Sequence, residues 1–338
     1  MKKSKKVLAV LLAALTMSFA LVGCGGSSGS SSEASGNSSK ADADKVYNIG
    51  ICQLVQHDAL DAATKGFKDK LTELLGEDKV TFDEKNAAGD SATCSTICNQ
   101  FVTSKVDLIL ANATPALQAA MSSTKDIPIL GTSVTDYATA LNISDWKGTT
   151  GANISGTSDL APLDGQAEML KELFPDAKKV GIVYCSSEPN SIYQADTITE
   201  YFKKDGYEVN TYTFSDSNDV TSVTTTACSE SDVLYIPTDN TAASCTKAIN
   251  NVALEKKIPI VAGEEGICAG CGVATLSISY YDLGQKTGEM AYDILVNGAD
   301  ISTMEIQSAP KFTKKYNAEI CKTLGIEVPD DYEAIAAE

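Results

Sequence analysis

One internal repeat constrains this chain more than any other feature. Asp107-Leu-Ile-Leu-Ala-Asn-Ala-Thr-Pro-Ala-Leu leads to Ile127-Pro-Ile-Leu-Gly-Thr-Ser, and Asp232-Val-Leu-Tyr-Ile-Pro-Thr-Asp-Asn-Thr-Ala-Ala leads to Ile258-Pro-Ile-Val-Ala-Gly-Glu-Glu. Each copy is an apolar run after an Asp, a polar Thr-containing loop, a helix-compatible stretch, then Ile-Pro-Ile into small residues. Upstream, Asn48-Ile-Gly-Ile echoes Lys179-Val-Gly-Ile. Gly50 and Gly181 are 131 residues apart, and so are Pro128 and Pro259. One spacing held across two landmarks indicates two copies of one α/β unit. Two such lobes, each with polar loops at its strand ends, imply a cleft between them.

The N-terminus bounds what takes part in that fold. Lys2, Lys3, Lys5 and Lys6 precede an apolar run from Val7 to Val22, the charged and hydrophobic regions of a signal peptide. Leu21-Val22-Gly23-Cys24 closes the run with the pattern of a bacterial lipobox, in which Cys24 is lipidated and becomes the mature N-terminus. Several acyl chains on one residue give the stable anchoring that a single chain cannot. The expected organisation is a signal peptide over 1–23 and a flexible Ser/Gly-rich tether over 24–45. An N-terminal lobe of 46–155 plus 276–307 and a C-terminal lobe of 156–275 plus 308–338 follow.

Charge excludes several functions. The formal net charge is −18, and all 27 basic residues are Lys, with no Arg anywhere. An acidic surface repels nucleic acid, so no nucleic-acid partner is expected. Without guanidinium forks, a bound carboxylate must be held by backbone N–H groups, hydroxyls, amides or Lys.

Hydrophobic patterning places strands at Val46–Leu54, Lys79–Glu84 and Asp107–Ala113, with helices over 60–75, 91–104 and from Thr114 onward. The second unit repeats the plan with strands Lys179–Cys185, Tyr207–Phe214, Val233–Pro237 and Ile258–Ala262. A strand Ala274–Ser279, a helix from Tyr280 to about Val296, and one more strand and helix near 314–324 complete the chain. Apolar strands alternating with helices predict parallel sheets covered on both faces, two Rossmann-like lobes of the α/β class.

Five stretches resemble the lipoprotein substrate-binding proteins of ABC importers associated with tryptophan and other aromatic amino acids. They are His57-Asp-Ala-Leu-Asp-Ala-Ala, Asp107-Leu-Ile-Leu-Ala-Asn-Ala-Thr-Pro-Ala, Ser186-Ser-Glu-Pro-Asn-Ser, Pro237-Thr-Asp-Asn-Thr and Tyr280-Tyr-Asp-Leu-Gly, in the family's order over roughly 46–328. The resemblance implies a type I periplasmic-binding-protein fold, hinged at three crossings near 148–158, 272–280 and 304–312 and closing on one small molecule. It further implies an extracytoplasmic, lipid-anchored, monomeric binding protein that delivers an amino acid, most naturally an aromatic one, to an ABC permease. No catalysis, cofactor or metal is expected. Asp58 and Tyr137 stand where the family usually has Pro, and a cysteine-rich loop at 266–272 is not a general family feature.

In open α/β sheets, ligands bind beyond the carboxyl ends of strands. Thr114 and Pro115 lie there in the first lobe, as do Ser187, Asn190, Ser191, Thr238, Asp239 and Asn240 in the second. Asn190, Ser191 and Asp239 also suit the plain task of capping their own helices. Thr135 and Asp159 join the ligand-binding set through the resemblance. A ligand ammonium needs an acceptor, for which Asp239 and Glu264 compete, while Glu264 beside Glu265 reads equally as a solvated acidic loop. His57, the only histidine, sits after the first strand, where it either meets ligand or packs without function. Tyr137, Tyr193, Tyr235 and Tyr280 offer pocket lining or core.

A lone histidine and the absence of a Gly-x-Ser-x-Gly elbow outside the Ser/Gly-rich tether argue against a serine hydrolase. Apart from Cys24, nine cysteines remain. Cys268-Ala-Gly-Cys271 has spacing compatible with a local disulfide, with free structural thiols, or with metal or redox chemistry. A surface thiol-redox or metal lipoprotein using Cys268 and Cys271 is therefore the rival function, and a binding protein for a nucleoside or other neutral solute is a second alternative.

Overall fold

The computed structural model describes residues 45–309 and 311–336. Cys24, the signal peptide and nearly all of the tether lie outside the described residues. The first unit runs β1 (Tyr47–Gln53), α1 (Asp58–Leu75), β2 (Val80–Asn86), α2 (Ser91–Ser104), β3 (Leu108–Asn112), α3 (Thr114–Ser123), β4 (Ile129–Val134), α4 (Tyr137–Leu141) and β5 (Ile154–Ser158). After α5 (Leu163–Leu173) the second unit runs β6 (Lys179–Cys185), α6 (Pro189–Lys204), β7 (Glu208–Phe214), α7 (Val220–Glu230), β8 (Val233–Ile236), α8 (Asn240–Ser244), α9 (Thr246–Lys256), β9 (Ile260–Ala262), α10 (Glu265–Cys271) and β10 (Ala274–Ser277). The chain ends with α11 (Tyr280–Leu295), β11 (Gln307–Ser308), β12 (Thr313–Tyr316), α12 (Ala318–Leu324) and β13 (Glu333–Ala334).

The repeat is visible as topology. One sheet has the order β11-β5-β4-β3-β1-β2, the other β13-β12-β10-β9-β8-β6-β7. Five strands of each, β5-β4-β3-β1-β2 and β10-β9-β8-β6-β7, follow the same order, and all strands pair in parallel except β10 with β12. The Asp opening each long apolar run does the same work in both copies. Asp107 Oδ2 accepts the Asn48 N–H at 2.8 Å, and Asp232 Oδ2 accepts the Lys178 and Lys179 N–H groups at 2.8 and 2.9 Å. Each carboxylate pins the start of the lobe's first strand beside its third.

Apolar clusters cover both faces of each sheet. Phe101, Ile109 and Leu117 centre one face of the first lobe, with Phe67, Leu108 and Leu130 on the other. In the second lobe Ile182, Phe202 and Tyr235 oppose Val183, Leu234 and Ile267.

The chain passes between lobes after β5, after β10, and between β11 and β12, so the divisions expected at 155/156, 275/276 and 307/308 fall inside β5, β10 and β11. After the second passage α11 returns to the first lobe and lies against α1. Their backbones touch at two glycines: a Cβ on Gly66 would sit 2.1 Å from the Tyr281 carbonyl, and one on Gly284 would sit 2.0 Å from that of Ala63. Only residues without a side chain permit that approach. The stretch 266–272, expected as a loop, is mostly the helix α10. Glu264 caps it by accepting the Gly266 N–H at 2.6 Å and the Ile267 N–H, groups that a helix start otherwise leaves without partners. Among the described residues no helix is long and apolar enough to cross a membrane.

Candidate functional site

The candidate side chains gather where strands end. His57 follows β1, Thr114 follows β3, Thr135 follows β4 and Asp159 follows β5. From the second lobe come Glu188 and Asn190 after β6, Thr238 to Asn240 after β8, and Glu264 after β9. Nearly all are buried although polar, the reverse of what surface loops require.

They form one continuous hydrogen-bonded belt crossing from lobe to lobe. Asp159 Oδ1 accepts from the Thr135 hydroxyl at 3.2 Å and Oδ2 from the Tyr280 hydroxyl at 2.9 Å. Gln194 Nε2, on α6, reaches across to Thr135 Oγ1 at 3.2 Å and donates to the Thr238 carbonyl at 3.2 Å, while its Oε1 accepts the Thr238 N–H at 3.1 Å. Asn190 Nδ2 also donates to the Thr238 carbonyl, at 3.1 Å, and to Ser191 Oγ at 3.2 Å. A second interlobe contact joins His57 Nε2 and Asn240 Oδ1 at 3.3 Å. Thr114 Oγ1, Asn190 Oδ1 and His57 Nδ1 are buried within this region without a partner. A buried polar atom without a partner costs about 1–3 kcal/mol, so these three atoms are candidates to meet a ligand's polar groups.

Three carboxylates in the region differ in what occupies their oxygens. Asp239 caps α8 through the Ala242 N–H at 2.7 Å and takes the Cys185 N–H on its other oxygen at 2.7 Å. Burial, then the charge of Glu188, pushes it up to about 8. Glu264 has both oxygens on backbone N–H groups of α10, and burial pushes it up to about 7. These two, expected to compete for a ligand ammonium, both accept backbone N–H groups within their own lobe. Asp159 caps nothing. Burial pushes it up to about 6 against the lowering effect of its two hydroxyl donors, and no lysine of the described residues pairs with it.

Glu188 is the anchor of the second lobe's edge. Its oxygens accept the Asn240 N–H at 3.0 Å, Asn240 Nδ2 at 2.6 Å, the Thr241 N–H at 2.9 Å, the Thr241 hydroxyl at 2.8 Å and Asn190 Nδ2 at 3.2 Å. Pro115 is buried in the first turn of α3 beside Thr114. Ser187 stands apart: it is exposed and its hydroxyl turns to the Ser215 carbonyl at 3.3 Å. A cavity of about 620 Å³ is bounded by His57 and Asp58 from the first lobe and by Ser244, Thr246 and Gly270 from the second.

Several expectations need correction. Cys268 and Cys271 are not joined but are free, buried thiols. Both face the apolar core of the second lobe, Cys271 donates to the Ile267 carbonyl at 3.3 Å, and burial raises both thiols far from reactivity. Tyr137 and Tyr235 are core residues, with hydroxyls on the Thr157 carbonyl and on Gln166. Gln194 and Glu188 were not anticipated. Gln194 lies four residues after Asn190, hence on the same helical face, which is the signal that finds it.

Two similar lobes, three passages between them and a buried polar belt at facing strand ends fit the class of solute-binding proteins whose two domains close around a ligand. The model of the family "ABC transporter substrate binding protein" matches residues 48–338, and the chain belongs to that family. The "Tyrosine-binding protein" of Clostridioides difficile is 39% identical over 97% of this chain and 94% of its own length. Among solved structures, a Streptococcus pneumoniae ABC domain in complex with L-Trp has TM-score 0.82 at 32% identity, over 86% of this chain and 100% of that one. The ligand-free, open structure of a substrate-binding protein with adhesive properties from Clostridium difficile has TM-score 0.66 at 39% identity, over 87% of this chain and 100% of that one.

Proposed function

We propose that this ABC-transport binding protein captures an aromatic amino acid between its lobes and presents it to a permease from outside the cell membrane, to which lipidated Cys24 tethers it. Asp159 carries the reading. A buried carboxylate without a cation is costly, and Asp159 has two hydroxyl donors but no positive partner. A ligand ammonium completes it. The ligand carboxylate then falls to Thr114 Oγ1 and to the N–H groups opening α3 and α6, which attract anions without Arg. The relatives support an aromatic side chain, one being named for tyrosine and another solved with L-Trp.

Isothermal calorimetry of the full chain against the proteinogenic amino acids tests this. L-tyrosine or L-tryptophan is expected to saturate one site, and the methyl ester of the same amino acid to bind poorly. Binding of a nucleoside with no response to any amino acid would replace this reading with that of a neutral-solute carrier.

A further inference from the structure

We infer that His57 is a specificity residue, whose Nδ1 accepts a hydrogen bond from a donor on the ligand's side chain and so separates tyrosine or tryptophan from phenylalanine. The inference rests on the aromatic-amino-acid reading and begins on the opposite lobe, at Glu188. Five donors converge on the two Glu188 oxygens. A carboxylate accepts only, so the Asn240 atom 2.6 Å from it must be the NH₂ group. The amide oxygen of Asn240 is thereby turned to the cleft, where it lies 3.3 Å from His57 Nε2. An amide oxygen cannot donate, so Nε2 carries the proton. In the neutral ring Nδ1 is then a bare acceptor.

That acceptor is buried and has no partner in the protein. Burial holds the imidazole below its ordinary pKa, outweighing the Asn240 hydrogen bond and the charges of Glu188, Asp61 and Asp58 that face it. The ring is therefore uncharged at neutral pH. Its neighbours along the first lobe's edge, Thr114 and Thr135, belong to the belt proposed to hold the amino-acid backbone, which leaves His57 for the side chain. A phenol O–H or an indole N–H supplies the missing donor. The phenyl ring of phenylalanine leaves Nδ1 desolvated and unpaired, which is how a polar site rejects an isostere lacking the group.

The chain has one histidine, so ring ¹⁵N resonances need no assignment. In the closed L-phenylalanine complex, where His57 meets Asn240, the expected spectrum has Nε2 protonated and Nδ1 of the bare type. In the L-tyrosine complex the Nδ1 resonance should lie in the hydrogen-bonded range instead. By calorimetry the His57→Phe variant should lose about three- to tenfold of the tyrosine-over-phenylalanine preference, the scale of one hydrogen bond. Glu188→Gln, which frees the Asn240 amide to turn, should blur the tautomer even where affinity survives. An Nδ1-protonated ring, equal Nδ1 responses to both amino acids, or an unchanged preference in His57→Phe overturns the inference. If none of the three aromatic amino acids binds, the functional reading falls with it; binding without discrimination removes this inference alone.

Discussion

Tyr280 donates its hydroxyl to Asp159 Oδ2 at 2.9 Å, joining the first passage between the lobes to the second. Asp159 directly follows β5, and Tyr280 opens α11 behind its Ser279 cap. The ligand ammonium proposed at Asp159 would sit on the hinge itself, where binding and lobe rotation share one residue.

Asp159→Asn should weaken amino-acid binding by about 2–5 kcal/mol, because it leaves a buried ammonium without its charge partner. Tyr280→Phe removes one neutral donor and should cost about 0.5–1.5 kcal/mol. Asp239→Asn and Glu264→Gln should act mainly on the thermal midpoint, since each carboxylate closes a helix start within its own lobe. Calorimetry and thermal melts of the four variants separate the cases. Near-native affinity in Asp159→Asn would show that the ammonium lies elsewhere.

The pH dependence should run in opposite senses for stability and for binding. Asp159, Glu264 and Asp239 have folded-state pKa values near 6, 7 and 8, above their ordinary range, so the folded state holds protons that the unfolded chain has released. Their stabilisation is present at about pH 4 and is lost as pH rises through those values. His57 is shifted down and contributes the opposite slope below its ordinary pKa, but as one group against three. Asp232, held down by the Lys178 and Lys179 N–H groups, titrates below this window. The ligand-free protein should therefore melt at a higher temperature at pH 5 than at pH 8. The difference should persist at high salt, which screens the acidic surface but not buried groups. Affinity should fall as pH drops below about 6, where Asp159 takes up its proton. A melting temperature that climbs from pH 5 to pH 8 contradicts the assignment.

The architecture was legible because repetition and periodicity are local properties of a sequence. α2 and β6 have the bounds expected from patterning, and the 131-residue echo places Gly50 and Gly181 in the first strand of each sheet. The belt was legible only as a set of strand ends. What each carboxylate's oxygens meet depends on partners far along the chain: Asp239 meets the Cys185 N–H 54 residues away, and Asp159 meets Tyr280 121 residues away. Spacing in one dimension does not encode that. The Cys268-Ala-Gly-Cys271 pattern misled for a related reason, since its sulfurs serve as small apolar groups once α10 is packed.

Replacing Cys268 and Cys271 by Ser should leave ligand affinity within about twofold while lowering the melting temperature, as each change buries a hydroxyl in an apolar core. Dithiothreitol should not alter the melting temperature of the parent protein, because all nine cysteines of the described residues are free. Loss of ligand binding in the double variant, with the fold intact by circular dichroism, would restore the thiol reading.

Cys24→Ala should release the protein from membranes or block its processing, if the Leu21–Cys24 stretch works as a lipobox. Unchanged fractionation and an unchanged mature mass would remove the anchor from the proposal.

Lobe closure should be ligand-driven, and the solved relatives indicate its direction. The fold superposes better on the L-Trp complex, TM-score 0.82 at 32% identity, than on the ligand-free open structure, TM-score 0.66 at 39% identity. Sequence distance would give the reverse order, so the difference supports a closed arrangement of the lobes. In that arrangement Gln194 reaches Thr135 and His57 reaches Asn240, bonds that opening must break. Ligand favours the closed state because only there do both lobes contact it, and it shifts the equilibrium by its differential affinity. Small-angle scattering should show the radius of gyration falling when L-tyrosine or L-tryptophan is added. Asn240→Ala and Gln194→Ala should each move the ligand-free protein toward the open form and weaken binding, although Gln194 and Asn240 donate and accept within the second lobe as well. Identical scattering profiles with and without a ligand confirmed by calorimetry would leave the two lobes as a rigid body, and the interlobe bonds as static packing.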